Sequence, residues 1–222
     1  MKKLVIFDLD GTLLDTIDDL GNATNHALRT LGFPERKREE LCQMVGRGIT
    51  NLLKAAVPPE FCTEETVVSM RKHFMAHYSV HLCDLTHPYP GISGLLECIT
   101  AAGIRIAVAS NKYQEGAEKV VGHFFPAIPF IAILGQREGY PIKPNPGIVD
   151  LCMAAAGVTK EEVLYVGDSN VDMQTGQNAG VDTAGVTWGF RTREELEAFR
   201  PLAVVDTPQE LEALLSLPVS FA

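Results

Sequence analysis

Short apolar runs and longer stretches with apolar positions every three or four residues alternate through most of this chain. The first period predicts strands and the second predicts helices. Residues 4–7 read as a buried strand. Residues 16–31 carry Ile17, Leu20, Thr24, Ala27, Leu28 and Leu31 at helical spacing, and Gly32-Phe33-Pro34 ends the helix. Residues 39–57 read as helical with a break at Gly46-Arg47-Gly48, and residues 66–82 place Val67, Met70, Phe74, Tyr78 and Leu82 on one helical face. Between Asp15 and Leu82 no strand is expected.

After Pro88-Tyr89-Pro90-Gly91 the pattern changes. Helices are expected at 92–102, 114–123, 147–156, 171–179 and 207–215. Strands are expected at 104–109, 130–134, 163–166, 183–188 and 202–205. Buried strands alternating with helices imply βαβ units and a mostly parallel sheet covered on both faces. The expected fold is therefore α/β, with a Rossmann-like core from residues 1–14 and 83–222. An all-helical cap, residues 15–82, is inserted after the first strand.

The apolar run of the first strand stops at Asp8-Leu9-Asp10-Gly11-Thr12. Two like charges at the exit of a buried strand are costly unless a cation or a reaction uses them. In doubly wound sheets, ligands bind beyond the carboxyl ends of the strands. The pattern puts four polar groups there: Asp8 and Asp10; Ser110 and Asn111; Lys143 with Pro144; and Asp168 with Asp172. This inventory suits phosphoryl transfer, which needs a nucleophile, charge neutralisation and a proton donor. A carboxylate can attack, a lysine supplies a point charge, and oxygen ligands suit Mg²⁺.

Composition narrows the partners. A formal net charge of -9 argues against broad binding to nucleic acid or to an anionic membrane, while leaving room for a small phosphorylated substrate in a locally cationic cleft. The five cysteines include no C-x-x-C pair, so reduced thiols and a cytoplasmic location are expected. No stretch has the length of a membrane span or a signal-peptide core. The chain is expected to act as a monomer or a dimer.

Asp8-Leu9-Asp10-Gly11-Thr12, Ser110-Asn111, Lys143-Pro144 and Gly167-Asp168-Ser169 with Asp172 resemble, in order and spacing, the four motifs of the haloacid dehalogenase superfamily. The helical insert, Val45-Gly46-Arg47-Gly48, Tyr89-Pro90-Gly91 and the segment Asn178-Ala179-Gly180-Val181 are similar to its phosphoglycolate phosphatase-like branch. The resemblance implies that Asp8 is the nucleophile and also a Mg²⁺ ligand. Asp10 would move protons and bind the metal through its carbonyl, with Thr12 orienting it. Ser110 and the Asn111 backbone would bind phosphate, Lys143 would pair with Asp8 and the phosphate, and Asp168 would ligate the metal. Asp172 would hold a metal-bound water or Lys143.

The implied activity is Mg²⁺-dependent hydrolysis of a small phosphomonoester, with 2-phosphoglycolate first. Pyrophosphate and other small phosphoesters are alternatives. A sugar-phosphate mutase of the same superfamily is a rival, though its usual acidic residue before the fourth-motif aspartate is Gly167 here. A receiver-like signalling domain is a second rival, but receivers are shorter and lack the insert.

On their own these residues also fit plainer roles. Asp8, Asp10 and Ser110 suit loop and N-cap positions, Lys143 a solvated loop, and Asp168 and Asp172 a helix start. Arg47 suits either a substrate carboxylate or a surface helix break. His73, His77 and His81 share a helix face that favours a solvated or interface stripe over a metal site. Trp188 reads as packing.

Overall fold

The computed structural model describes residues 1–216, so residues 217–222 of the expected core assignment lie outside the described residues. β1 (Leu4–Phe7) is fully buried, as its unbroken apolar run requires. The chain then makes a two-residue strand, β2 (Leu14–Asp15), and enters four helices: α1 (Ile17–Thr30), α2 (Arg38–Met44), α3 (Ile49–Ala56) and α4 (Glu64–His81). It returns through β3 (His87–Pro88), which pairs antiparallel with β2. This ribbon is a departure from the sequence reading, which expected no strand at Asp15. Two residues are too few to show a period.

The remainder alternates. α5 (Ile92–Ala101), β4 (Arg105–Tyr113), α6 (Gln114–Phe124), β5 (Phe130–Gln136), α7 (Gly147–Ala156) and β6 (Val163–Gly167) follow in turn. Then come α8 (Asn170–Ala179), β7 (Asp182–Val186), α9 (Arg193–Glu197), β8 (Ala203–Val205) and α10 (Pro208–Leu214). Six strands form one sheet in the order β5-β4-β1-β6-β7-β8, and every pair within it is parallel. The fold is the α/β type that the alternation predicts. α9, five residues long, was not anticipated.

Two apolar clusters cover the two faces of the sheet. The smaller packs Leu4, Ile6, Ala107 and Tyr165 against Val149 and Cys152 of α7. The larger joins Val5, Phe7, Val108 and Val166 to α5, and runs on without interruption into Val45, Leu52, Met70, Phe74 and Tyr78 of the helical segment. Burial of side chains this size contributes about 1.5–3 kcal/mol each, so the segment is docked on the core by its apolar face. Core side chains also reach carbonyls of that segment. Arg191 donates to Cys42, Gln43 and Val45 at the end of α2 (2.6, 3.1 and 3.0 Å), and Lys119 donates to Ser79 (2.9 Å).

The histidine stripe is partly internal. His77 stacks on His81 (4.4 Å between ring centroids) and on His26 of α1 (4.7 Å). His26, rather than His73, completes the row. All five cysteines are free, and no helix among the described residues is long and apolar enough to cross a membrane.

Candidate active site

Chain order makes β1 the centre of the site. From β1 the path goes to β4 and β5 on one side, then returns to β6 on the other. Ligand crevices form where strand order reverses in this way. Phe7 is level with Val108 of β4 and with Val166 of β6. Asp8 is therefore level with Ala109 and Gly167, and Ser110 and Asp168 each follow one residue later.

Asp8, Ser110, Asn111, Lys143, Asp168 and Asp172 are each buried. Lys143 Nζ lies 2.9 Å from Asp8 Oδ1 and 2.7 Å from Asp172 Oδ1, and it donates to Tyr165 Oη at 3.1 Å. Asp8 Oδ1 also accepts from the Leu9 N–H (2.6 Å). Asp172 Oδ2 accepts from the N–H and the hydroxyl of Ser169 (3.1 and 2.5 Å), which forms the capping box that starts α8. Asp168 accepts from Thr12 Oγ1 (3.0 Å) and from the Phe190 N–H (2.8 Å). Thr12 thus orients Asp168, a correction to the expectation that it orients Asp10.

Two glycines make this crowding possible. Gly11 has φ +90°, and a Cβ there would collide with the Asp168 carboxylate. At Gly167 a Cβ would collide with the Asp172 side chain, so the acidic residue typical of the mutase rival has no room.

Ser110, Asn111 and Lys112 do not leave the sheet, as the pattern suggested. They ride on β4 as an irregularity: Ala109 pairs with Leu134 and Tyr113 with Gln136, so the intervening residues bow out over the site. Asn111 spends its side chain on the architecture. It exchanges hydrogen bonds with Lys143 (2.8 and 3.2 Å) and donates to Gly46 O of the helical segment (3.0 Å).

Lys112, which the sequence reading passed over, is buried. Its Nζ donates to Asp10 Oδ1 (2.9 Å) and to Tyr78 Oη of α4 (2.6 Å). The signal for it was available as a third polar residue after Ser110-Asn111. Tyr78 gave no signal, because its position on an apolar face reads as packing. Trp188 packs as expected and also donates to Thr12 O (3.0 Å).

A narrow cavity of about 30 Å³ lies between Asp8, Asp10, Ser110 and Lys112 below and Leu20, Val45, Ile49, Leu52 and Tyr78 above. Arg47 is exposed and is not among the residues lining that cavity. Its neighbours Gly46 and Gly48 do line the cavity, and Gly46 O accepts from Asn111.

Electrostatics favours a cation. Ligand atoms of Asp8, Asp168 and Asp172 lie within 4.8 Å of one another. Burial, then the charges of Asp172 and Asp168, hold the Asp8 carboxyl well above its ordinary value against the opposing pull of Lys143. Burial and then Asp172 push Asp168 up to about 7. Asp172 and Asp8 keep Lys143 charged despite its burial. One ammonium group thus pairs with two of the three carboxylates, Asp8 and Asp172. An all-oxygen donor set with surplus negative charge fits a hard divalent cation.

A parallel sheet with carboxylates gathered at its reversal point defines the class, a doubly wound α/β protein with its crevice at the strand ends. The chain belongs to the haloacid dehalogenase-like hydrolase family, whose model matches residues 5–186. It is 32% identical over 214 residues to phosphoglycolate phosphatase of Vibrio parahaemolyticus, covering 94% of each chain. It is also 32% identical to phosphoglycolate phosphatase of Aquifex aeolicus, covering 96% of each. A crystal structure from Lactobacillus delbrueckii subsp. bulgaricus, provisionally named a phosphoglycolate phosphatase, superposes with a TM-score of 0.89 at 32% identity. That match covers 96% of this chain and 99% of the other. The chain is a phosphatase of this branch and acts on a phosphorylated substrate.

Proposed function

We propose that this phosphatase hydrolyses a small phosphomonoester, 2-phosphoglycolate first among them, through a phosphoryl group carried on Asp8 and with Mg²⁺ as cofactor. The observation that carries the reading is the pairing of Asp8 with Lys143 at the end of β1 (2.9 Å), beneath Asp10 on the cavity wall. The full-length likeness to two phosphoglycolate phosphatases supports the choice of ester. Residues 15–82 act as a cap on the core formed by residues 1–14 and the chain from 83 onward. The five free thiols favour action in the cytoplasm.

Asp8 Oδ1 is held by Leu9 N–H and Lys143, which leaves Oδ2 to attack phosphorus. Lys143, shared with Asp172, places positive charge beside the incoming phosphate oxygens. Ser110 and the backbone of Asn111 take the remaining oxygens, since the Asn111 side chain is already engaged. Asp10 gives its proton to the leaving oxygen and later withdraws one from the water that cleaves the aspartyl phosphate. Asp8, Asp168 and the Asp10 carbonyl would hold Mg²⁺, which supplies charge neutralisation between the carboxylates and the phosphate dianion. Closure of the helices over the cavity excludes bulk water.

Phosphate release from 2-phosphoglycolate, pyrophosphate and hexose phosphates, measured with Mg²⁺, tests the reading. Phosphoglycolate should be hydrolysed best. Asp8→Asn should abolish turnover with its circular dichroism unchanged. Wild-type turnover in Asp8→Asn would sink the mechanism, and formation of a sugar-phosphate isomer would point to the mutase instead.

A further inference from the structure

Asp10 stands at the rim of the site, with its side chain 13% exposed, whereas its lysine partner is almost completely covered. That lysine, Lys112, is the middle member of a three-residue chain. Its ammonium donates at one end to Asp10 Oδ1 (2.9 Å) and at the other to Tyr78 Oη (2.6 Å), and it lies 4.9 Å from the Tyr78 ring centroid. The two ends belong to different parts of the fold. Asp10 follows β1 of the core, whereas Tyr78 lies on α4, inside the segment that forms the roof of the cavity. Tyr78 is itself fixed, being fully buried and packed against Phe74 (5.0 Å between ring centroids) and edge-on to Tyr113 (6.3 Å).

We infer that Lys112 is a positioning residue that aims the Asp10 carboxyl at the leaving oxygen, and that Tyr78 makes that aim conditional on the docked position of α4. The inference rests on the proposed role of Asp10. A carboxyl at a rim, with one oxygen accepting from a buried ammonium, keeps its second, proton-bearing oxygen in a defined direction. Without that tie it samples several rotamers. With the helices undocked, Lys112 loses one of its two partners, and Asp10 loses the rigid support of its one ion pair. The proton donor would then be assembled only when the roof is in place, so transfer of the phosphoryl group to Asp8 is coordinated with exclusion of water.

The chemistry offers a readout that general damage to the fold does not imitate. In 2-phosphoglycolate hydrolysis the Asp8–phosphorus bond forms as the phosphorus–oxygen bond to the glycolate alkoxide breaks, and that alkoxide takes the proton of Asp10. In acetyl phosphate hydrolysis the same bonds form and break, but acetate leaves as an anion and needs no proton. Acetyl phosphate, a mixed anhydride, is similar in size to 2-phosphoglycolate, so the two substrates probe one cavity.

The test compares kcat/KM for both substrates in wild type, Lys112→Met, Tyr78→Phe and the double variant, with Mg²⁺ present. Lys112→Met should lower kcat/KM for 2-phosphoglycolate by about 10²-fold or more, the usual span of a general-acid contribution. For acetyl phosphate the loss should be at least about tenfold smaller. Tyr78→Phe keeps the ring and removes only the hydroxyl, so it should show the same split at lower amplitude. The double variant should be no worse than Lys112→Met. Should Lys112→Met fail to fold, the Tyr78→Phe split decides. Equal losses on both substrates, or unchanged phosphoglycolate hydrolysis in both single variants, would overturn the inference while leaving the phosphatase reading intact. Failure of the wild type to hydrolyse either substrate would overturn the reading itself, and the inference with it.

Discussion

Single residues set the charge state of the site. An unfolded carboxyl titrates near 3.8, whereas folded Asp168 is pushed up to about 7 by burial and by Asp172. Between these values the folded protein without metal binds more protons than the unfolded chain, so this group lowers stability as pH rises through that window. Mg²⁺ held as proposed would favour the ionised carboxylates and remove the penalty. The gain in Tm on adding Mg²⁺ to metal-free protein should therefore be larger at pH 8 than at pH 5.5, and equal gains by calorimetry would count against Asp168 as a ligand. Gly11→Ala combines a left-handed φ of +90° with a Cβ against Asp168. It should destabilise the fold by about 1–3 kcal/mol in urea melts and weaken Mg²⁺ binding. Asp8, Ser110, Lys143 and Asp168 were legible from sequence because strand ends of a parallel sheet must meet. The partners of Thr12 and the burial of Lys112 were not. Both depend on which way a side chain turns after its backbone has left the strand, and hydrophobic spacing carries no information on that.

Among elements, the joint between α1 and the returning chain depends on Asp19. It is buried and accepts from the N–H groups of Leu85 and Thr86 and from the Thr86 hydroxyl, at 2.8–3.1 Å. Asp19→Ala leaves these donors unpaired. We expect a loss of about 2–3 kcal/mol in chemical denaturation, and hydrogen exchange in α1 and α4 should rise more than in β1. The helices and long strands were readable because each repeats its period several times, and α7 falls on the expected residues 147–156. β2, β3 and α9 are too short to repeat one. β4 was read as ending at Ala109 because Ser110, Asn111 and Lys112 look like a loop, and only its pairing with β5 shows that the strand continues to Tyr113.

At the scale of the whole molecule, the helical segment and the sheet share one apolar cluster and leave about 30 Å³ between them, space for a water or two. On the proposed function, a phosphoester larger than this space would need the helical segment to open and reclose at each turnover. Rates of this kind follow solvent friction. The wild-type kcat for 2-phosphoglycolate should fall as sucrose raises the viscosity, and a flat profile would place the slow step in the chemistry. The pairing of Leu14 with Pro88 has a consequence of another kind. The helical segment departs from the core and rejoins it at neighbouring positions, so it stands where a hairpin would have its turn. For a loop anchored in this way, each doubling of length costs only about 0.6 kcal/mol of closure entropy. Closure entropy alone therefore sets little limit on how much chain is threaded between those two residues. Length can be added to or removed from that stretch at small entropic cost wherever the Tyr78 contact to Lys112 and the shared apolar cluster are kept.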